Sequence, residues 1–323
     1  MRRWCIINGC LLLGVALAAL VALNLGPEPV TVWSTTTTQA TASAILWSAR
    51  LPRILLALVV GVALGSAGSA YQALLRNPLA DPYILGVSGG AALGSAVVVA
   101  LGFPFIVVAG AAFAASLASM VSIYRFAARP GRTYTHALLL TGVVFNAFAF
   151  ASIMGIHTVV PMQRAHEILF LLMGNLALGE PMTTAGAAIA VGLGWIVLMV
   201  RSRAMNALVL GEETAASLGV NCRRLQWEVF AAGSLMIGAT VAVSGLIGFV
   251  GLFIPHATRL LWGSDHRLVI PAAGLLGAMF LLLADTLART VLTGATYQTE
   301  LPVGVITALV GAPCFVWLLR KQL

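Results

Sequence analysis

Gly86-Val87-Ser88-Gly89-Gly90 sets a serine among glycines, a spacing suited to exposing a nucleophilic hydroxyl. A serine nucleophile needs a base, and His157 and His256 are the histidines that other segments offer. His166-Glu167 opens a zinc-protease pattern but lacks its second histidine. Asp285 sits in an apolar run with Arg289 four residues on. That spacing makes a local ion pair on a helix, while an acid inside a membrane is also a candidate proton or sodium site. Arg50-Leu51-Pro52-Arg53 offers two guanidinium forks, which grip carboxylates bidentately or snorkel at an interface. Cys5, Cys10, Cys222 and Cys314 show no CxxC spacing and read as small apolar filler, with no disulfide framework and no metal site. A phosphate-binding loop needs a lysine before Ser or Thr, and the single lysine is Lys321. Any ATP used must therefore be held by a partner.

These residues need elements to position them, and composition says which. Of 323 residues, 60% are apolar and 9% charged, with a mean hydropathy of +1.00. Soluble domains carry about 25% charged residues. The chain reads as an all-α polytopic membrane protein. Apolar segments fall at 4–25, 52–74, 83–101, 104–126, 137–157, 183–200, 227–247, 271–289 and 303–319, with a short broken one at 252–262. Each long one approaches the ~20 residues that a spanning helix needs. About ten helices in one unit, 1–323, is the expectation. Ala16-Leu17-Ala18 resembles a signal-peptide cleavage site, but the apolar run exceeds the roughly 7–15 residues of such signals and reads as a retained first span.

The net charge is +8. Basic loops gather on the cytoplasmic side of membrane proteins, so this charge needs no nucleic acid. Starting inside, fourteen of the eighteen Arg and Lys residues fall on the cytoplasmic face and Arg50, Arg53, Arg164 and Arg289 on the outer one. Both termini are expected in the cytoplasm of a cell whose inner membrane holds the chain. Gly61, Gly68 and Pro78 recur as Gly238, Gly245 and Pro255, each 177 residues later. The copies enter from opposite sides, as an inverted repeat requires; the halves would be about 50–160 and 227–319, with a connecting loop at 204–226.

Three stretches stand out. Gly61, Gly65 and Gly68 share one helix face, either for close packing or as a smooth wall along a translocation path. Arg76-Asn77-Pro78-Leu79-Ala80-Asp81-Pro82 is a stiff turn between two apolar segments. Irregular backbone at membrane depth is tolerated where protein buries it or water lines it. Glu212, Glu213, Thr214, Ala215, Ala216, Ser217 and Leu218, stopped by Gly219, predict a short helix with acids at its positive end. It reads as a surface turn or as a rigid knob pressed into a partner.

In combination these stretches resemble the FecCD/BtuC-type permeases, the membrane subunits of ABC importers for iron chelates, haem and cobalamin. The matching residues are RLPR at 50–53, QALLRNPLADPYILGVSGGAALG at 72–94, GEETAASLGV at 211–220, SGLIGFVGLFIPHATRLLWGSDHR at 244–267, ADTLAR at 284–289 and LPVGVITALVGAPCFVWLL at 301–319. The resemblance implies a homodimer of ten-helix subunits embedded in the lipid bilayer. It implies two ATP-binding subunits below, which hold ATP and Mg²⁺, and a substrate-binding protein above. It puts Arg50, Arg53 and Arg289 against glutamates of that binding protein. It makes Glu212 to Gly219 the coupling helix and places Asn77, Leu79, Thr135 and His136 at a cytoplasmic gate. The chain itself would do no covalent chemistry and bind no cofactor. His157, His166, Met154 and Met162 lie near the outer end of the fifth span, where they fill a loop or meet haem iron in transit. The residues also admit an ion-coupled secondary transporter using Asp285, and an intramembrane serine protease using Ser88.

Overall fold

A computed structural model describes residues 2–26, 45–127, 134–178, 180–291 and 300–320. Among the described residues there are twelve α-helices. They are α1 (Arg2–Asn24), α2 (Leu51–Leu74), α3 (Val87–Leu101), α4 (Phe105–Ala127), α5 (Tyr134–Val159), α6 (Met162–Met173), α7 (Pro181–Val209), α8 (Glu212–Ser217), α9 (Cys222–Ser244), α10 (Val250–Trp262), α11 (His266–Thr290) and α12 (Val303–Arg320). A π-helical turn, Ile45–Arg50, leads into α2.

Seven of these helices are long and apolar enough to cross a membrane. The most apolar 18-residue windows of α2, α9 and α11 are 78, 78 and 72% buried, against 22–39% for α1, α4, α5 and α7. Three enclosed helices therefore form the centre and the others wrap them. The wrapping helices leave Leu12, Leu17, Val144, Phe148, Ile189 and Leu193 exposed. A monomer in water rarely shows contiguous apolar surface of this extent; lipid tails accept it.

The central helices are close because their contact faces lack side chains. Every residue from Ala63 to Leu74 is buried. A Cβ on Gly61 would lie 2.5 Å from Ala278 Cα, one on Gly65 2.1 Å from the Ala273 carbonyl oxygen, and one on Gly68 2.1 Å from the Gly251 carbonyl oxygen. These glycines let α2 touch the backbones of α11 and α10, as small residues do where no hydrophobic drive operates between helices. The smooth path wall expected of Gly61, Gly65 and Gly68 is thus corrected: protein backbone covers all three.

Each expected span corresponds to a helix, with instructive shifts. α3 begins at Val87, later than 83, because Asp81 caps a one-turn 3₁₀ segment, Pro82–Leu85, which ends at Gly86 with φ +86°. α7 runs to Val209, well beyond 200, since long basic side chains such as Arg201 and Arg203 let a helix leave the bilayer without breaking. α6 was not expected from the sequence. Ala165, Ile168 and Leu171 bury one narrow stripe of it while its other faces stay open. The broken region after α9 contains Gly245 at φ +68° and Phe249 at φ +67°, and Pro255 lies inside α10.

Candidate functional site

Where the outer arginines were expected, an ion cluster forms. Arg53 Nε donates to Asp285 Oδ1 at 2.8 Å, and Arg53 Nη1 lies 2.6 Å from Glu300 Oε2. Arg289 Nε stands 3.0 Å from Asp285 Oδ2. The local Asp285–Arg289 pair is therefore present, and Arg53, 232 residues away, completes it. Arg50 donates to the Leu23 carbonyl at 2.5 Å and packs over Gly26. Arg50, Arg53 and Arg289 are 4, 9 and 3% exposed. Within the bundle, Arg50 ties the turn before α2 to α1, Arg53 ties α2 to α11, and Arg289 pairs along α11. Sequence reasoning missed Glu300; its charge opposite Arg53 was the only signal.

Asn77, Leu79 and the turn they define close the foot of α2. Arg76 takes φ +49°, the Asn77 N–H donates to the Gln72 carbonyl, and Asn77 Oδ1 accepts from the Leu79 N–H at 2.9 Å. Leu79 is exposed. His136 is exposed in the first turn of α5; the side chain of Thr135 lies outside the described residues. Gln72, unremarked in the sequence, braces the turn: its amide donates to the carbonyls of Ala80 and Leu252 at 3.3 and 3.1 Å.

The short helix α8 appears where expected, with Gly219 at φ +80° just beyond its end. Ala215 is buried, while Glu213, Thr214, Ala216, Ser217, Leu218 and Gly219 are exposed. Glu212 holds it in place. Its Oε1 accepts from Gln226 Nε2 at 3.1 Å and stands 3.5 Å from Arg76 Nη2. The knob is thereby joined to the foot of the central helix α2 and to α9.

Above the turn lies a cavity of about 320 Å³ lined by Asp81, Tyr83, Ser88, Asn146, Phe150 and Phe249, among others. Asn146 Nδ2 donates to the Tyr83 carbonyl at 2.7 Å, and the Tyr83 hydroxyl accepts from the Ile247 N–H at 2.9 Å. Burial pushes the Asp81 carboxyl up to about 6, partly offset by the hydrogen bond it accepts from the Tyr83 N–H. Ser88 Oγ donates to the Tyr83 carbonyl at 3.3 Å. His256 packs edge-on against Phe315 on α12. Among the described contacts no histidine activates Ser88. The geometry offers passage and packing in place of bond cleavage.

A bundle of apolar, membrane-length helices with the Asn77–Leu79 turn at the foot of α2 and the exposed α8 beside it defines a multi-pass membrane protein. A family model described as the FecCD transport family matches residues 10–321, and the chain belongs to that family. It is 39% identical to the haemin transport system permease protein HmuU of Yersinia pestis, over 97% of this chain and 95% of that one. It is 37% identical to the vitamin B12 import system permease protein BtuC of an Escherichia coli strain, over 99 and 95%. A solved metal-chelate type ABC transporter in an inward-facing conformation superposes with a TM-score of 0.88 at 30% identity, covering 98% of this chain and 99% of that one. The protein is accordingly an ABC transporter permease subunit and not an enzyme; ATP hydrolysis belongs to separate subunits.

Proposed function

We propose that this chain imports a metal chelate, a ferric siderophore, haem or cobalamin, across the inner membrane by alternating access. Two copies would line the path, two ATP-binding subunits would drive it from the cytoplasm, and a binding protein would deliver the chelate outside. The observation that carries this reading is the seating of α8: Glu212 accepts from Gln226 on α9 at 3.1 Å and stands 3.5 Å from Arg76, which opens the Asn77–Leu79 turn. Arg76 belongs to that turn, so a displacement of α8 would act on the turn directly. The names of the relatives support the substrate class, since their cargoes are haemin and vitamin B12.

Reconstitution tests it. Sealed vesicles holding this chain alone should not concentrate a chelate under a proton or sodium gradient. Addition of the ATP-binding subunit, the loaded binding protein and ATP should produce uptake. Accumulation driven by an ion gradient without ATP would overturn the reading in favour of secondary transport through Asp285.

A further inference from the structure

At the foot of the bundle, separate from the cavity above the turn, lies a second pocket of about 240 Å³. Gln72, Arg76, Asn77, Arg259, Ser264 and His266 line it with three other residues, none of them acidic. Two guanidinium groups thus share a small concave site with no carboxylate in its wall. Arg259, from α10, donates to Gln72 Oε1, and Gln72 is itself fixed by its two carbonyl acceptors. Among the described residues no ion pair involves Arg259.

The nearby acids are already committed. Asp265 bonds Arg267 Nη2 at 2.7 Å and accepts from Asn206 Nδ2 at 2.8 Å. Glu212 accepts from Gln226 and reaches Arg76 at 3.5 Å, too far for a strong bond. His266 brings no negative charge either. Its Nδ1 lies 2.7 Å from Asn206 Oδ1, which can only accept. Nδ1 therefore carries a proton. A half-buried guanidinium held in place without a counter-charge is costly unless an anion arrives.

We propose that this pocket receives a carboxylate side chain of the cytoplasmic ATP-binding subunit, held by Arg259 and Arg76. The inference rests on the ATP-driven reading above. A planar fork fits a carboxylate bidentately. The site lies at the end of the enclosed helix α2, and Arg76 belongs both to it and to the contact with α8. A partner seated on α8 would thus present acidic groups within reach. Ser264, at the exposed rim, leaves the approach open.

The test uses the detergent-solubilised chain and its co-expressed ATP-binding subunit. Arg259→Gln should weaken their association at least tenfold, and Arg259→Lys, which keeps the charge but loses the fork, should retain part of it. In Arg259→Lys, a carbodiimide should join the introduced amine to an Asp or Glu of the ATP-binding subunit, identified by mass spectrometry of the linked peptides. Ser264→Trp, which plugs the rim without touching Gln72, should weaken binding to a similar degree and decides the matter if Arg259→Gln does not fold. Unchanged affinity in both variants would overturn the proposal, as would cross-links confined to this chain's own acids. Native mass spectrometry showing an anionic phospholipid lost from Arg259→Gln, with partner affinity unchanged, would assign the pocket to lipid and overturn it too. If the wild-type chain binds no ATP-binding subunit at all, it is the ATP-driven reading that fails.

Discussion

Arg53 on α2 and Asp285 on α11 meet at 2.8 Å, although 232 residues lie between them. The pair fastens the outer ends of two central helices that touch through glycine along their length. Asp285 is 1% exposed, so its charge is sustained by Arg53 and Arg289 and not by water. Asp285→Ala should cost about 3–5 kcal/mol, the range for removing one partner of a buried pair. Thermal unfolding in detergent measures it; a midpoint indistinguishable from wild type would contradict the pairing.

Gly65 sets the separation of α2 and α11. A methyl group there meets the Ala273 carbonyl oxygen at 2.1 Å, and backbone cannot swing aside. Gly65→Ala should destabilise the chain by about 1–3 kcal/mol, as overpacking does. Gly110, with open space around its Cβ position, is the control that should tolerate alanine.

Ala216 lies near the end of α8, whose six residues are exposed except for Ala215 and the half-buried Glu212. Proline there costs about 3 kcal/mol of helix stability. Ala216→Pro should leave membrane insertion intact and separate ATP hydrolysis from uptake. The ratio of chelate moved to ATP consumed in proteoliposomes is the readout, and an unchanged ratio would remove the coupling role from α8.

Asp81 predicts a pH dependence. Burial raises its carboxyl from 3.8 to about 6 in the folded protein. The folded state then binds the proton more tightly than the unfolded one between those values. Its contribution to stability is present below pH 3.8 and is lost as pH rises through about 6. Asp81→Asn keeps an oxygen to accept from the Tyr83 N–H and should flatten that part of the unfolding-temperature profile. An identical slope in the variant would exclude Asp81 as its source.

Arg50 offers a cleaner probe of binding-protein docking than Arg53, because it holds the Leu23 carbonyl and not the Asp285 carboxylate. On the reading that the arginines near the ends of α2 and α11 meet the binding protein, Arg50→Gln should weaken docking severalfold. Surface plasmon resonance against the loaded binding protein measures it. Equal affinities would confine Arg50 to tying α1 to α2.

Much of this was legible in one dimension. Hydropathy alone separated the spans, because a helix in lipid must satisfy every backbone group within itself and needs a set length of apolar residues. The α8 knob could also be read from local chemistry, with Glu212 and Glu213 at its start and Gly219 past its end. α6 could not, since its twelve residues have too narrow a buried stripe to stand out from a loop. The glycines on α2 carried two meanings, a wall or a packing face, and adjacency to Ala273 and Gly251 chose between them.

The amino-acid order by itself determined that the chain lives in a membrane, roughly where its long apolar helices lie, and which motifs it shares with permeases. Only the tertiary structure decided the partners of its charges: Asp285 with Arg53 and Glu300 beside it, Glu212 with Gln226, and Arg259 with a glutamine and, among the described residues, no acid. The reason is physical. Helix formation is settled by neighbours within about four residues, whereas a charge at the protein interior is settled by whichever distant side chain the packing brings within about 3 Å.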